Sequence, residues 1–355
     1  MVILKMGSCM VVLAASALYA LLSSACVVPD PGPGDTLPAA APVLPPPITV
    51  NYRHLDVNPV TDSSLYPDSE LIDLYMPQAA GQGTGLLLWV HGGGWTMGDR
   101  TGIPAWVLQQ VPRGYLVASI GYRLAFYDAN GVAQHVFPAA VEDVKLAVRF
   151  MKSLGAWLGT SPRVILAGAS AGGHLASFVG ATPGQFEPGV IPPALAGFDA
   201  TVSSVVNIVG PTDLGILATP PADPSDPGTP VAAFFVAHLL GCPQPTMSAP
   251  YTCPAGTDFA TASVVPWLDA TDPPTYFGYG GIDNWVPAAS QGAPAAAALY
   301  AATGEKLMSW YDLADGAWHD LDGTKLNMTA LQGFLDATRD GRFDQLRASL
   351  RDRAP

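Results

Sequence analysis

Three short stretches carry residues whose types and spacing could do nucleophilic chemistry. The first is Gly168-Ala169-Ser170-Ala171-Gly172, which follows the apolar run Val164 to Ala167 and opens a helix-compatible segment. A serine flanked by glycines between a strand and a helix suits a sharp turn that exposes its hydroxyl above a sheet. With 37 glycines in 355 residues such a motif also arises by chance, so Ser170 needs partners before it means anything. A serine nucleophile requires a base to take its proton, a carboxylate to orient that base, and N–H donors for the developing oxyanion. The second stretch, His91-Gly92-Gly93-Gly94-Trp95, follows the buried-strand run Leu86 to Val90. Its three glycines let backbone N–H groups converge on one point without interfering side chains. The third comprises the loops after the last two predicted strands, Gly280-Gly281-Ile282-Asp283 and Trp318-His319-Asp320.

The elements needed to position these residues are readable. Ile48 to Val57 and Leu71 to Met76 alternate apolar and polar residues, as half-buried antiparallel strands do. Leu86–Val90, Tyr115–Ile120, Val164–Ala167, Val202–Val209, Thr275–Tyr279 and Leu307–Leu313 are more continuously apolar, as strands covered on both faces are. Helix-period segments alternate with them at Ile103–Gln110, Ala139–Ser153, Ala171–Gly180, Ala288–Ala302 and Thr329–Thr338. In the second of these, Ala140, Val144, Ala147, Val148 and Met151 share one face, with Glu142, Lys145, Arg149 and Lys152 off it. This alternation predicts one α/β domain over 48–355, a mostly parallel sheet with helices on both faces and an antiparallel start. An insertion at about 219–263, rich in Pro, Ala and Asp around the apolar helix Val231–Leu240, follows the sixth strand and is expected to cap the strand ends where a ligand sits.

Composition excludes one class of function. A net charge of −13 with no basic cluster does not suit nucleic acid. The Cys and His spacings match no zinc pattern, and Gly92-Gly93-Gly94 lacks the Lys-Ser/Thr of a phosphate loop, so neither metal nor cofactor is expected. Residues 1–25 carry Lys5, the apolar run Met10–Leu22 and the small residues Ser23-Ser24-Ala25, which reads as an export signal. Thirteen helical residues reach about 20 Å, short of a hydrocarbon core of about 30 Å. Leu22-Ser23-Ser24-Ala25-Cys26 resembles a bacterial lipoprotein cleavage site with Cys26 as the lipidated residue, although Ser stands where Leu is usual three residues before the Cys. The Pro- and Gly-rich segment 26–47 would then be a stiff tether holding the domain at the cell envelope. Secretion with a free Cys26 is the alternative. Cys242 and Cys253 lie near each other in a Pro-rich stretch and would close a small loop in an oxidising compartment, worth about 3 kcal/mol.

Taken with Ser119-Ile120-Gly121-Tyr122-Arg123-Leu124, Phe137-Pro138-Ala139-Ala140-Val141-Glu142-Asp143-Val144 and Gly210-Pro211-Thr212-Asp213-Leu214, the glycine-rich loop and the Ser170 motif resemble the α/β-hydrolase fold. The branch they are most similar to is the esterases related to hormone-sensitive lipase and the bacterial feruloyl esterases. The resemblance spans about 51–319 and implies an oxyanion hole from the backbone of Gly93, Gly94 and Ala171. It implies chain order Ser, acid, His. His319 follows the last predicted strand, as that order requires, but Trp318-His319-Asp320 departs from the family's glycine-containing pattern. The family spacing Gly, two residues, Asp, two residues, Val-Pro is met at Asp283, and Asp213, also after a strand, is the competing acid. His174 and His238 compete less well as bases, one being on the serine's own helix and the other on the insertion helix. These residues imply a serine carboxylesterase working through an acyl-enzyme, on a small or medium ester. Trp95, Trp285 and Trp318 fall near the strand ends and point to an apolar or aromatic acyl group. A serine peptidase of the same fold, and a non-catalytic envelope binding protein, are the other readings.

Overall fold

The structure is a computed structural model that describes residues 44–54, 67–219, 228–243, 253–319 and 325–345. The segment read as an export signal, Cys26 and most of the stretch expected to be a tether lie outside these residues. Leu44 already packs against the core, so the folded domain starts a few residues before 48.

The strands run β1 Ile48–Asn51, β2 Leu71–Tyr75, β3 Gly85–Val90, β4 Tyr115–Ile120, β5 Phe126–Tyr127, β6 Ala133–Gln134, β7 Val164–Ala169, β8 Ser204–Ile208, β9 Thr275–Gly280 and β10 Ser309–Ala314. The helices are α1 Ala105–Leu108, α2 Ala139–Leu158, α3 Ala171–Ala181, α4 Leu214–Ala218, α5 Gly228–Leu240, α6 Gly292–Thr303 and α7 Met328–Arg339. Eight strands form one sheet in the order β1-β2-β4-β3-β7-β8-β9-β10. β1 pairs antiparallel with β2, and β2 antiparallel with β4. All the other pairings of this sheet are parallel, while β5 and β6 pair antiparallel in a separate two-stranded ribbon.

The period of two along each strand sorts the core into layers. Leu86, Leu88 and Val90 of β3 face the layer of α2 and α3, where Val144, Val148, Leu175 and Val179 are buried. Leu87 and Trp89 face the opposite layer with Trp106 of α1 and Leu331, Phe334 and Leu335 of α7. Both faces being covered is why β3 and β4 are buried throughout and almost wholly apolar. At the far end Phe277 and Tyr279 of β9 pack on Ala295, Ala296 and Leu299 of α6.

Several elements differ from expectation. Leu307 lies in the 3-10 turn Lys306–Met308, and β10 begins at Ser309. α2 continues to Leu158, where Gly159 takes the left-handed conformation (φ 69°) that ends a helix. The hairpin β5–β6 and the short α4 were not expected, since two to five residues carry too little periodicity to register. Lys145 and Arg149, placed off the apolar face, are buried. The segment after α3 folds back over α2: Lys145 Nζ donates to Thr182 O at 2.6 Å, and Arg149 pairs with Glu187 at 2.6 Å. A charged ring round α2 is thus absorbed by partners that are 37 to 49 residues away.

Asp143, also on α2, has a buried carboxylate that takes Arg123 through its backbone N–H (2.8 Å) and its Nε (2.9 and 3.0 Å) and also binds Arg53. It ties the segment after β4 and the residues after β1 to one helix. Because its partners are only partly exposed, Asp143→Ala is expected to lower unfolding free energy by about 3 kcal/mol; equilibrium denaturation in urea, with an unchanged m-value, measures it.

Candidate active site

Ser170 sits where β7 turns into α3. Its backbone has φ 54° and ψ −123°, a strained combination for a residue with a side chain. Two glycines make the turn sterically possible. A Cβ on Gly172 would lie 2.0 Å from Val90 O, and one on Gly168 would lie 2.3 Å from Gly172 O. Ser170 N–H donates to Ile208 O at 2.8 Å, which fixes the turn against the neighbouring strand.

The other two residues arrive on adjacent loops. The loop after β9 brings Asp283, and the loop after β10 brings His319. The loops interlock through Gly281 N–H to Ala314 O (2.9 Å) and Ile282 N–H to Ala317 O (3.0 Å). Gly280 is required between them, since a Cβ there would lie 2.5 Å from both Ala317 O and Trp318 O. The Asp283 side chain is fully buried; Oδ1 accepts from Trp285 N–H (2.8 Å) and Val286 N–H (3.0 Å). Its Oδ2 accepts from His319 Nδ1–H at 2.7 Å. With that proton on Nδ1, Nε2 is the acceptor for the Ser170 hydroxyl, 2.9 Å away. The structure thus joins Asp283, His319 and Ser170 in one hydrogen-bonded chain from three separate strand ends.

Gly93 and Gly94 have φ of 112° and 56°. Side chains are excluded at both, by Met97 O at 2.1 Å and by the Phe235 ring at 2.3 Å from the respective Cβ positions. Gly93, Gly94, Ala171, Ser170 and His319 all line one cavity of about 250 Å³. Its walls are Trp95 and Met97 from the glycine-rich loop, Leu217 of α4, Val231, Ala232 and Phe235 of α5, and Pro211, Trp285 and Val286. Apart from Ser170 and His319, these are apolar.

The remaining candidates are accounted for. Asp213 caps α4, its Oδ1 accepting from Ile216 N–H at 3.0 Å, while Asp283 is the carboxylate that His319 reaches. His238 donates from Nδ1 to Phe234 O at 2.9 Å on its own helix. Trp95 and Trp285 line the cavity. Trp318 does not; it is 37% exposed, with its ring 4.9 Å from Trp285 and its Nε1–H donated to Asn284 at 3.1 Å. Trp318 is held outside the cavity by these partners, while His319, the next residue, turns to Asp283 and Ser170. Cys242 and Cys253 form a disulfide that closes the end of α5. Of the insertion, residues 219, 228–243 and 253–263 are described.

The sequence places the apolar insertion helix over the strand ends but does not say that Val231, Ala232 and Phe235 are the residues that face the cavity. The only signal was that this helix is apolar nearly all round, which does not say which face meets a ligand. Sequence reasoning missed Gln291, whose Oε1 accepts from Thr212 and Asp213 N–H (both 2.8 Å) and so anchors the Pro211 wall.

A strand–turn–helix serine, a carboxylate and an imidazole at the ends of a mostly parallel sheet with helices on both faces define the α/β-hydrolase fold. Residues 72–293 match the family model BD-FAE, and the chain belongs to that family. Carboxylesterase NlhH of Mycobacterium tuberculosis is 32% identical over 108 residues, which cover 30% of this chain and 32% of NlhH. Esterase LipC of the same species is 31% identical over 137 residues, 38% of this chain and 32% of LipC. The match therefore spans about a third of the length of these relatives. Among solved structures, a truncated form of a carbohydrate esterase from gut microbiota superposes with a TM-score of 0.61 at 22% identity, covering 82% of this chain and 95% of that one. Thermogutta terrifontis esterase 2 gives 0.56 at 19% identity, covering 85% and 96%. These likenesses establish the shared fold.

His174 is completely buried on α3, and burial pushes its pKa down to about 4, against a smaller opposing effect of Ala262 O. The unfolded chain protonates this histidine near its ordinary value of about 6.5. Between those values the unfolded state binds the extra proton, so stability is lost as pH falls from about 6.5 to 4. Thermal unfolding from pH 7.5 to 4.5 should show the wild-type margin over His174→Gln shrinking as pH falls.

Proposed function

We propose that this chain is a serine carboxylesterase acting through an acyl-enzyme. The observation that carries this reading is the Asp283–His319–Ser170 hydrogen-bond chain opening on an apolar cavity. In this reading Ser170 Oγ attacks the ester carbonyl carbon as its proton passes to His319 Nε2. The backbone N–H groups of Gly93, Gly94 and Ala171 hold the oxyanion, each donor being worth about 2.7–4 kcal/mol in the transition state. Asp283 stabilises the imidazolium without taking its proton. His319 gives the proton to the leaving alkoxide, then takes one from the water that attacks the acyl-enzyme carbonyl, and returns it to Ser170 Oγ as the C–O bond to the serine breaks and the acid leaves.

The cavity walls favour an uncharged, apolar acyl group, because a polar substituent buried against them would lose its water partners without replacement. The N-terminal segment supports export with lipidation at Cys26 as the anchoring step, so the enzyme would meet esters outside the cytoplasm.

Ser170→Ala is expected to lower kcat on short-chain aryl esters by about 10³-fold or more and to abolish labelling by a fluorophosphonate. Wild-type rates or undiminished labelling in that variant would refute the esterase reading, and a wild-type protein that neither hydrolyses nor labels is a binding protein. Faster cleavage of anilides than of esters would make it a peptidase. Phe235→Ala enlarges the cavity and should move the kcat/KM optimum to longer acyl chains, with about 0.8 kcal/mol, roughly fourfold, for each further methylene buried. A series of p-nitrophenyl esters from acetate to dodecanoate reads this out.

A further inference from the structure

We propose that His174 is a positioning residue that locks the oxyanion loop onto the nucleophile helix through the indole of Trp95. This rests on the esterase reading above, and concerns a histidine that the acid–base steps do not use.

Trp95 directly follows the two glycines that would supply oxyanion donors, and its own backbone is left-handed, with φ 60°. A bulky residue held there costs about 1–3 kcal/mol and stays only where its surroundings over-determine it. Those surroundings are specific. The Trp95 carbonyl accepts from Ala125 N–H at 2.8 Å. Its side chain is buried, and Nε1–H donates to His174 Nδ1 at 3.2 Å, the two rings perpendicular with centroids 5.2 Å apart.

His174 is tied to the nucleophile. It lies on the first turn of α3, where its backbone N–H donates to Ser170 O at 3.0 Å. Its second ring nitrogen, Nε2–H, donates to Ala262 O at 2.8 Å. One neutral imidazole therefore accepts from the oxyanion loop and donates to the segment behind the cavity, while its backbone belongs to the turn that carries Ser170. Only one tautomer satisfies both bonds: the proton on Nε2 and the lone pair on Nδ1. A fully buried ring has no water to take over either role.

Oxyanion donors act in the transition state, where the carbonyl oxygen gains charge and moves, so a loosened loop should raise the barrier more than it weakens binding. The two amide substitutions separate the bonds. Asn at 174 can set its Oδ1 where Nδ1 stands and keep accepting from Trp95. Gln reaches the Nε2 position, keeping a donor for Ala262 O and losing the Trp95 acceptor.

The experiment measures kcat and KM on one aryl ester for wild type, His174→Asn, His174→Gln, Trp95→Phe and the Trp95→Phe/His174→Gln pair, with active sites titrated by fluorophosphonate so that only folded enzyme counts. His174→Gln and Trp95→Phe should each lower kcat about 10- to 100-fold with KM within about twofold. His174→Asn should stay within about threefold of wild type, and the pair should cost no more than either single change, because both remove one bond. Equal losses in Asn and Gln variants, losses carried by KM, or additive losses in the pair overturn the proposal. If His174→Gln yields no titratable enzyme, Trp95→Phe alone decides, with an unchanged kcat refuting the proposal. Ester hydrolysis by wild type and its loss in Ser170→Ala test the esterase reading separately; a wild type without hydrolysis overturns both.

Discussion

The closeness of backbone to backbone at the end of β7 governs what the rest of this molecule can do. Gly172 lies so near Val90 O that a single added carbon would fall 2.0 Å from it, and Gly168 is similarly hemmed in by the start of α3. Because these two positions lack side chains, the chain can reverse from strand to helix within one residue, and Ser170 takes the strained φ of 54° that lifts its hydroxyl clear. That strain is supported on both sides: β3 supplies the wall that Gly172 meets, and β8 supplies the carbonyl that receives Ser170 N–H. A turn of this kind holds only on a sheet whose neighbouring strands are themselves immobilised, which the two buried helical layers provide.

The same device recurs where two loops must bring Asp283 and His319 together. Gly280 lets the turn after β9 pass against the carbonyls of Ala317 and Trp318, and cross-loop hydrogen bonds hold both in register. The carboxylate is then satisfied on one oxygen by two backbone N–H groups and on the other by the imidazole. Its orientation is thus set by main chain, which moves less than side chains do. The imidazole inherits that orientation and hands it to the serine.

Around this rigid centre the specificity elements come from elsewhere in the chain. α4 and α5 lie beyond the sixth strand of the main sheet and contribute only apolar surface to the cavity. Phe235 presses on Gly94, so the wall of the cavity and the conformation of the glycine-rich loop are not independent. A change in α5 therefore reaches the loop through one aromatic ring.

The sequence by itself determined the sheet, its antiparallel start, and the strand end at which each reactive residue lies. Those follow from local rules: periods of two and 3.6, glycines where a turn is tight, and the chain order of the motifs. The family spacing favours Asp283, but Asp213 also follows a strand, and only the fold shows that Asp213 caps a helix while Asp283 meets a ring 36 residues on. Trp318 could not be told from Trp285 for a related reason, as side-chain direction in a loop depends on what its neighbours face. Burial of Lys145 and Arg149 was equally invisible, because the segment that covers them is joined to α2 only in space. What tertiary structure alone decided is which of the chemically equivalent groups meet, and the reason is that hydrogen bonds and packing between distant segments leave no mark on the periodicity of either one.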